Sequence, residues 1–404
     1  MISLSWQANI LNCMEDLCEC IGMLCPTLLF CDKTMRILHV ITSLHIGGAE
    51  RLMVDLLPIL RDAGNDVELL LFDGLDTPFK KELKQKGIVV HQLFPGGDVK
   101  YIKFRVYNPI NILRLRQYLG GYDIIHTHNT ACQLFVPLSK WLFRKKTVLV
   151  TTEHNATNRR RDKSWLKSID CWMYRQYSRI ICIADQTNEN LQEYIGAQSK
   201  ILTIYNGVNI SQFVKPINDI CGKTNYVLTM VAAFRLQKDH ETLLRAMSRL
   251  PMNYRLQLVG RDFLDRVPSL KAMCKSLGIE DRVDFMGART DIPDILAGSD
   301  VVVLSSHWEG LSLSSIEGMA SGRPFVASDV DGLHEMVGGA GVLFPHGDDK
   351  ALAEKIQYLC EHPDEYRAVA ERCQEKAKQY DISVMAEKYL ELYKKVYEEN
   401  QKDN

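Results

Sequence analysis

From residue 35 onward the chain alternates between short apolar, β-branched runs and longer stretches whose apolar residues recur at helical spacing. In the first half, the runs 36–42 (RILHVIT), 67–72, 89–94, 123–128 (DIIHTH), 147–154 (TVLVTTEH), 179–184 and 201–205 read as strands. The second half repeats the scheme over 226–234, 255–260, 283–287, 300–306, 324–328 and 341–345. Segments such as 49–63, 109–119 and 164–177 read as helices. Near-continuous apolar strands separated by helices predict parallel sheets covered on both faces. Two such units make an α/β protein of two doubly wound domains facing each other, over 35–206 and 207–382. Pro216, Gly222 and polar neighbours mark the junction. Two terminal helices follow, about 350–378 and 383–398. The last, within 383–404, is expected to pack back across the interface.

Residues 1–34 do not fit this pattern. Glu15, Asp16 and Glu19 precede the apolar run 21–30, where a secretory signal needs positive charge. Met35 stands directly before a clean strand, so the segment reads as a dispensable leader or an upstream-start artefact. An amphipathic helix packing on the body is the alternative. Five of the 12 Cys lie in the first 31 residues and the rest are scattered, mostly in apolar runs, with no C-x-x-C pair. That pattern suits buried free thiols rather than a disulfide framework or a zinc ribbon.

Composition narrows the class. The 404 residues are 46% hydrophobic and 25% charged, the profile of a globular enzyme. No uncharged apolar run reaches the roughly 18 residues of a membrane span. The net charge of -1 gives no sign of nucleic-acid binding, but it is unevenly distributed. Residues 35–205 carry +8 and residues 206–404 carry -6. A basic first half and an acidic second half suggest domains with different partners.

In doubly wound sheets, ligands bind at the carboxyl ends of the strands, so the residues just beyond each strand matter most. Gly47 and Gly48 follow the first strand and open a helix, where backbone approaches a ligand closely and an anion is favoured. The G-x-G-x-x-G and P-loop patterns are absent. Arg235 and Lys238 follow the strand 226–234. Two cations on one loop can meet the two phosphates of a diphosphate, or pair with Asp239 and Glu241 on a solvated loop. Glu309 through Glu317 follow the strand 300–306. Amides around Gly310, Leu311 and Ser312 would face the cleft, and two carboxylates can accept hydrogen bonds from a polyol. Ser314 and Glu317 also have the spacing of a capping box, which accounts for Glu317 without a ligand. His126, His128 and His154 end adjacent strands. They raise the question of a metal, but no second group of Asp, Glu or His completes a ligand set, and no metal is expected.

Taken together, RILHVITSLHIGGAERL, HTHN, TTEHN, IYNGVN, FRLQKDHETLL and WEGLSLSSIEGMASGRPFVASD resemble the family-4 retaining glycosyltransferases. The resemblance runs from about Met35 to the end and implies the GT-B fold, two Rossmann-like domains across a cleft. It implies a nucleotide-sugar donor, UDP-linked by preference and GDP-mannose next. Glu317 would hold the ribose hydroxyls and Glu309 the donor sugar. Arg235 and Lys238 would grip the diphosphate, joined by amides of Gly310, Leu311 and Ser312. Backbone near Arg289 would meet the base. Gly47 and Gly48 would lie where phosphate and acceptor meet, His154 against the transferred sugar, and His128 beside it. Fixed cations would stabilise the departing diphosphate in place of a metal. No cofactor is implied.

The basic first half includes Arg144, Lys145, Lys146, Arg159, Arg160, Arg161 and Lys163, with Trp141, Phe143 and Trp165 nearby. Such a surface suits anionic lipid, at about 1 kcal/mol per nearby cation. The expectation is a cytoplasmic enzyme, peripheral to the inner face of the plasma membrane, with a polyprenyl-diphosphate-linked or other glycan acceptor in surface polysaccharide assembly. Arg159, Arg160 and Arg161 are alternatively placed over the acceptor. Two rivals share the pattern: a sugar-nucleotide epimerase, and a non-catalytic nucleotide-sugar-binding partner of another transferase.

Overall fold

The computed structural model describes residues 34–45, 47–96, 102–154, 161, 163–262 and 264–402, so the proposed leader, apart from Thr34, lies outside the described residues. Strands β1 (Arg36–Ile41), β2 (Asp66–Leu71), β3 (Val89–Gln92), β4 (Ile124–His128), β5 (Val148–Glu153), β6 (Arg179–Cys182) and β7 (Ile201–Thr203) form one sheet. Its order is β3-β2-β1-β4-β5-β6-β7. Strands β8 (Tyr226–Val231), β9 (Tyr254–Val259), β10 (Val283–Gly287), β11 (Val301–Leu304), β12 (Phe325–Asp329) and β13 (Val342–Pro345) form the second, in the order β10-β9-β8-β11-β12-β13. Every pairing is parallel, as the apolar runs predict. Each order reverses once, between β1 and β4 and between β8 and β11. Those reversals open the crevices where ligands enter such sheets.

Several strands stop short of the apolar runs that predict them. β11 stays beside β8 only as far as Val302 opposite Thr229. Beyond Val231 the chain stays bonded on the β9 side, through Ala232 N–H to Val259 O and the bridge of Phe234 to Asp262, before the loop that carries Arg235 and Lys238.

Six helices bear on the site: α1 (Gly48–Asp62), α2 (Thr130–Leu142), α3 (Lys167–Arg175), α4 (His240–Arg249), α5 (Leu313–Ala320) and α6 (Ile382–Lys402). The helix expected over 109–119 is confined to Ile110–Leu115. The one expected over 350–378 is broken into Asp349–Glu361 and Pro363–Ala377. Pro363 starts the second piece, where its missing N–H costs nothing.

The last helix belongs to the first sheet. Ile382, Met385, Ala386, Tyr389, Tyr393 and Val396 of α6 share a core with Ile37, Leu56 and Val150, and Arg179 meets Glu399 at 2.7 Å. Burying each large apolar side chain contributes about 1.5–3 kcal/mol. The chain therefore passes between the lobes twice, and the two passages run side by side. Val208 N–H donates to Tyr380 O at 2.9 Å, and Ile382 N–H donates to Val208 O at 2.9 Å. A Cβ at Gly207 would sit 2.7 Å from Ile382 Cα, so only glycine allows this approach.

Candidate functional site

At the β8/β11 reversal, two loops are laced together. His307 N–H donates to Gln237 O at 2.7 Å, and the Gln237 side-chain amide donates to Trp308 O at 2.8 Å. Ser305 Oγ–H donates to Asp239 O at 2.8 Å. This lacing brings the Lys238 ammonium onto the Glu309 carboxylate. Ser306 Oγ–H donates to the same Glu309 oxygen at 2.5 Å. Glu309 is only 9% exposed, so its charge is matched by a cation and a hydroxyl rather than by water. Arg235 stands at the mouth of the loop and is exposed.

Asp239 lies in the left-handed region at φ 45°, unusual for a residue with a Cβ and best tolerated by Asp and Asn. Its carboxylate caps α4, accepting from Thr242 N–H at 3.2 Å and Thr242 Oγ–H at 2.6 Å. That tight reversal directly follows Lys238. The solvated-loop alternative therefore fails: Lys238 pairs with Glu309, Asp239 serves as a cap, and Glu241 pairs with Arg266.

The start of α5 differs from the capping box that the spacing of Ser314 and Glu317 predicts. The capping position is Ser312, with no side-chain hydrogen bond into the helix, and no acidic residue occupies the first turn. Ser314 sits inside the helix with its hydroxyl 3.2 Å from that of Ser312. The capping box is thus not formed, and Glu317 is free of that duty. The leading amides of α5 are left without a side-chain acceptor, which favours an incoming anion. Gly310 borders open space. Gly332, absent from the sequence reading, supports this loop from behind. Its φ is +79°, and a Cβ there would lie 2.5 Å from Glu309 O and 2.7 Å from Gly310 O.

The other lobe closes on the same point. A Cβ at Gly48 would lie 3.3 Å from Leu313 Cδ1, so the start of α1 faces the start of α5. Gly47 precedes it in extended backbone and accepts Arg51 N–H at 2.9 Å. The Glu317 carboxyl is pushed up to about 7, chiefly by burial. Arg51 of α1 lowers it and Asp55 raises it, in opposition across the lobes. Arg51 and Asp55 are themselves bound at 2.6 and 2.8 Å. Arg289 lies beyond β10, exposed and bonded to Asp291 at 2.6 and 2.8 Å.

At the β1/β4 reversal lies a cavity of about 290 Å³ lined by Thr42, Tyr107, Asn129, Gln133, Glu153 and His154. Behind it the strand-end histidines form a hydrogen-bonded row, joined by His39 of β1. His154 Nε2 meets His128 Nδ1 at 3.0 Å, and His128 Nε2 meets His39 Nδ1 at 3.0 Å. His39 Nε2 lies 3.3 Å from the Tyr393 hydroxyl, which meets His126 Nδ1 at 2.5 Å. His126 Nε2 meets Thr152 Oγ1 at 2.8 Å, which meets the Tyr389 hydroxyl at 3.0 Å. Burial lowers all four imidazoles, His39 to about 3 and His154 to about 4, so they are neutral. His39, His126 and His128 offer nitrogens within 4.8 Å of one another, as do Asp239, His307 and His346. In the first group every ring nitrogen is engaged in the row, and among the described residues the group includes no carboxylate to balance an ion.

Arg161 turns inward. It lies 3.9 Å from buried Glu153, which accepts from the Tyr174 hydroxyl at 2.5 Å, and it stacks over Tyr194. Arg159 and Arg160 lie outside the described residues.

The two lobes correspond to two family models. One, described as glycosyl transferases group 1, matches residues 225–362. The other, described as glycosyltransferase family 4, matches residues 46–212. The chain belongs to the family-4 glycosyltransferases. It is similar to EpsD of Bacillus subtilis, 26% identical over 359 residues, 80% of this chain and 93% of that protein. It is also similar to the N,N'-diacetylbacillosaminyl-diphospho-undecaprenol alpha-1,3-N-acetylgalactosaminyltransferase of Campylobacter jejuni, 30% identical over 224 residues, 54% of each chain. Among solved structures, Anabaena HepE in complex with UDP and glucose superposes with a TM-score of 0.75 at 25% identity, covering 89% of this chain and 99% of that one.

In this glycosyltransferase, Lys238, Glu309 and Ser306 meet directly, and Gly48 meets Leu313 beside Ser312. His128 and His154 stand together at the other sheet's reversal. The Arg289 side chain is engaged by Asp291, two residues on, and its backbone lies just beyond β10. His39, Tyr389, Tyr393 and Gly332 also take part, and no motif in the sequence marks them. A polar residue inside the apolar run of β1 and two tyrosines four apart on a helix were the available signals.

Proposed function

We propose that this glycosyltransferase moves a sugar from a nucleotide-sugar to a polyprenyl-diphosphate-linked glycan, with retention of configuration and without a metal, in surface polysaccharide assembly. UDP is the preferred nucleotide and GDP-mannose the next candidate. The observation that carries this reading is the Lys238–Glu309 pair at the crevice where α1 and α5 meet. A diphosphate arriving at Lys238 and Arg235 would draw the ammonium from Glu309, freeing that carboxylate for sugar hydroxyls. The sugar–phosphate C–O bond then breaks as the acceptor oxygen bonds to the same carbon. The departing diphosphate takes the acceptor proton, and its growing charge is met by the two cations and the amides of Gly310, Leu311 and Ser312. Glu317 holds the ribose. HepE, solved with UDP and glucose, supports the donor class. The lipid diphosphate in the name of the Campylobacter jejuni relative supports the acceptor class.

The acceptor side has a matching surface. Phe104, Tyr107, Leu113, Trp141 and Trp165 are exposed, from 60 to 70%. Trp141 packs edge-on against Trp172, tying α2 to α3. Arg144, Lys146, Lys163 and Lys167 are exposed nearby in the chain. Among the described residues no helix is long and apolar enough to cross a membrane. This face is instead suited to lie on an anionic bilayer, at the inner face of the plasma membrane. Tyr107 also lines the cavity beside His154, so a lipid tail on the patch would place its sugar there.

The test is transfer from labelled UDP-sugars and GDP-mannose to a polyprenyl-diphosphate sugar, with and without chelator, alongside vesicle flotation. Transfer that survives chelation, and flotation only with anionic lipid, is expected. Epimer formation without acceptor, or tight donor binding with no turnover, would overturn the reading.

A further inference from the structure

The row that ends at His154 has a direction. It links seven groups: Tyr389, Thr152, His126, Tyr393, His39, His128 and His154. Each hydroxyl has one hydrogen to give, and each neutral imidazole has one N–H and one bare nitrogen. A neutral imidazole cannot accept at both nitrogens, and buried Thr152 or Tyr393 accepting on both sides would leave its own hydrogen with no acceptor among the described residues, so the hydrogens point one way throughout, in one of two orders. In one, the four histidines all carry hydrogen on Nε2. In the other, all four carry it on Nδ1.

The closed end decides between them. Thr152 and Tyr389 are completely buried. If the hydrogens ran from His154 inward, Thr152 would donate to Tyr389. The Tyr389 hydrogen would then have no acceptor among the described residues. Burying such a donor unpaired costs about 1–3 kcal/mol. If they run outward, Tyr389 donates to Thr152, Thr152 to His126 Nε2, His126 Nδ1–H to Tyr393, and Tyr393 to His39 Nε2. His39 then donates to His128, and His128 to His154 Nε2. The unmatched hydrogen emerges at His154 Nδ1, which has no partner among the described residues and stands at the cavity wall.

We infer that Tyr393, on the C-terminal helix, is a positioning residue that fixes His154 as an Nδ1–H donor facing the sugar cavity. His154 therefore gives a hydrogen bond to an oxygen of the bound sugar and cannot take the acceptor's proton. That leaves the diphosphate as the proton's destination. The placement of a sugar at His154 rests on the function proposed above, whereas the proton order does not.

The experiment is long-range proton–nitrogen NMR on the full chain labelled with [15N]histidine. His154 is assigned by its loss in His154→Asn. The expected result is Nδ1–H for His39, His126, His128 and His154. Nε2–H at His154 in the wild-type chain would overturn the inference, and this measurement needs no other variant to fold. Tyr393→Phe removes the donor to His39 Nε2. An Nε2–H population should then appear at His154, and an unchanged His154 signature would count against Tyr393. Nδ1–H throughout in a chain that transfers no sugar would sink the proposed function and leave the proton order standing.

Discussion

Lys238 and Glu309, 71 residues apart in sequence, meet as an ion pair because their loops leave adjacent strands at the point where the sheet reverses. Each is the other's ion-pair partner among the described residues, and the proposed function gives each a different part of the same substrate. Lys238→Ala should lower transfer by about 10²–10³-fold, the usual consequence of losing one stabiliser of developing charge. Glu309→Gln should keep diphosphate binding but lose sugar discrimination. Steady-state kinetics with UDP and UDP-sugar as competitors measures both. Near wild-type turnover in Lys238→Ala would remove the cation from the mechanism.

Gly332 is expected to be nearly as sensitive as the residues it supports. Alanine there meets both a φ of +79° and carbonyls at 2.5 and 2.7 Å. Gly332→Ala should cost about 1–3 kcal/mol of stability and weaken donor binding by displacing the Glu309–Gly310 backbone. Urea unfolding and nucleotide titration would show both losses, and a variant that binds UDP normally would count against the support role.

Gly48 tests the closure of the lobes. A valine at this position would press on Leu313, whose Cδ1 lies 3.3 Å from the position of a Cβ. Gly48→Val should raise the donor KM about ten-fold or more, a loss of roughly 1.4 kcal/mol, with little change in unfolding. Unfolding that shifts as much as KM would point to a local packing role instead.

Stability should fall as pH drops below about 6.5. Five histidines buried in the fold have pKa values below the unfolded one: His39 at about 3, His154 and His240 at about 4, and His126 and His128 well below the ordinary value. Below pH 6.5 the unfolded chain takes up protons that the folded chain refuses. Each such site then removes about 1.4 kcal/mol per pH unit. Glu317 works the other way. Raised to about 7, it adds stability at low pH that is lost as pH rises from about 4.5 towards 7. Burial also raises Asp73 to about 6, which works as Glu317 does, but five histidines outweigh two carboxyls, so urea midpoints should decline from pH 6.5 to 5. A flat profile would mean that the histidines are not buried neutral.

The strands of both sheets were legible because an apolar β-branched run is a local property, and burial on both faces leaves little choice of structure. The loops after β8 and β11 were legible for the same reason: chemistry in a doubly wound sheet collects at strand ends. Capping was not, because Ser314 with Glu317 has the spacing of a capping box, while Ser312 takes the capping position and the loop before it, at Glu309 and Gly310, rests on Gly332. The return of the last helix was an expectation from the sequence, but the residues of the first lobe that α6 would meet were not legible, because its apolar stripe would suit any groove. The histidine row is a matter of register alone. His39 stands opposite His126, and His128 opposite Thr152, only because β1, β4 and β5 pair in a particular alignment, and Tyr389 and Tyr393 reach them only because the chain returns. Local patterning determined the elements and the residues at their ends; contacts between residues far apart in sequence decided which of those residues meet.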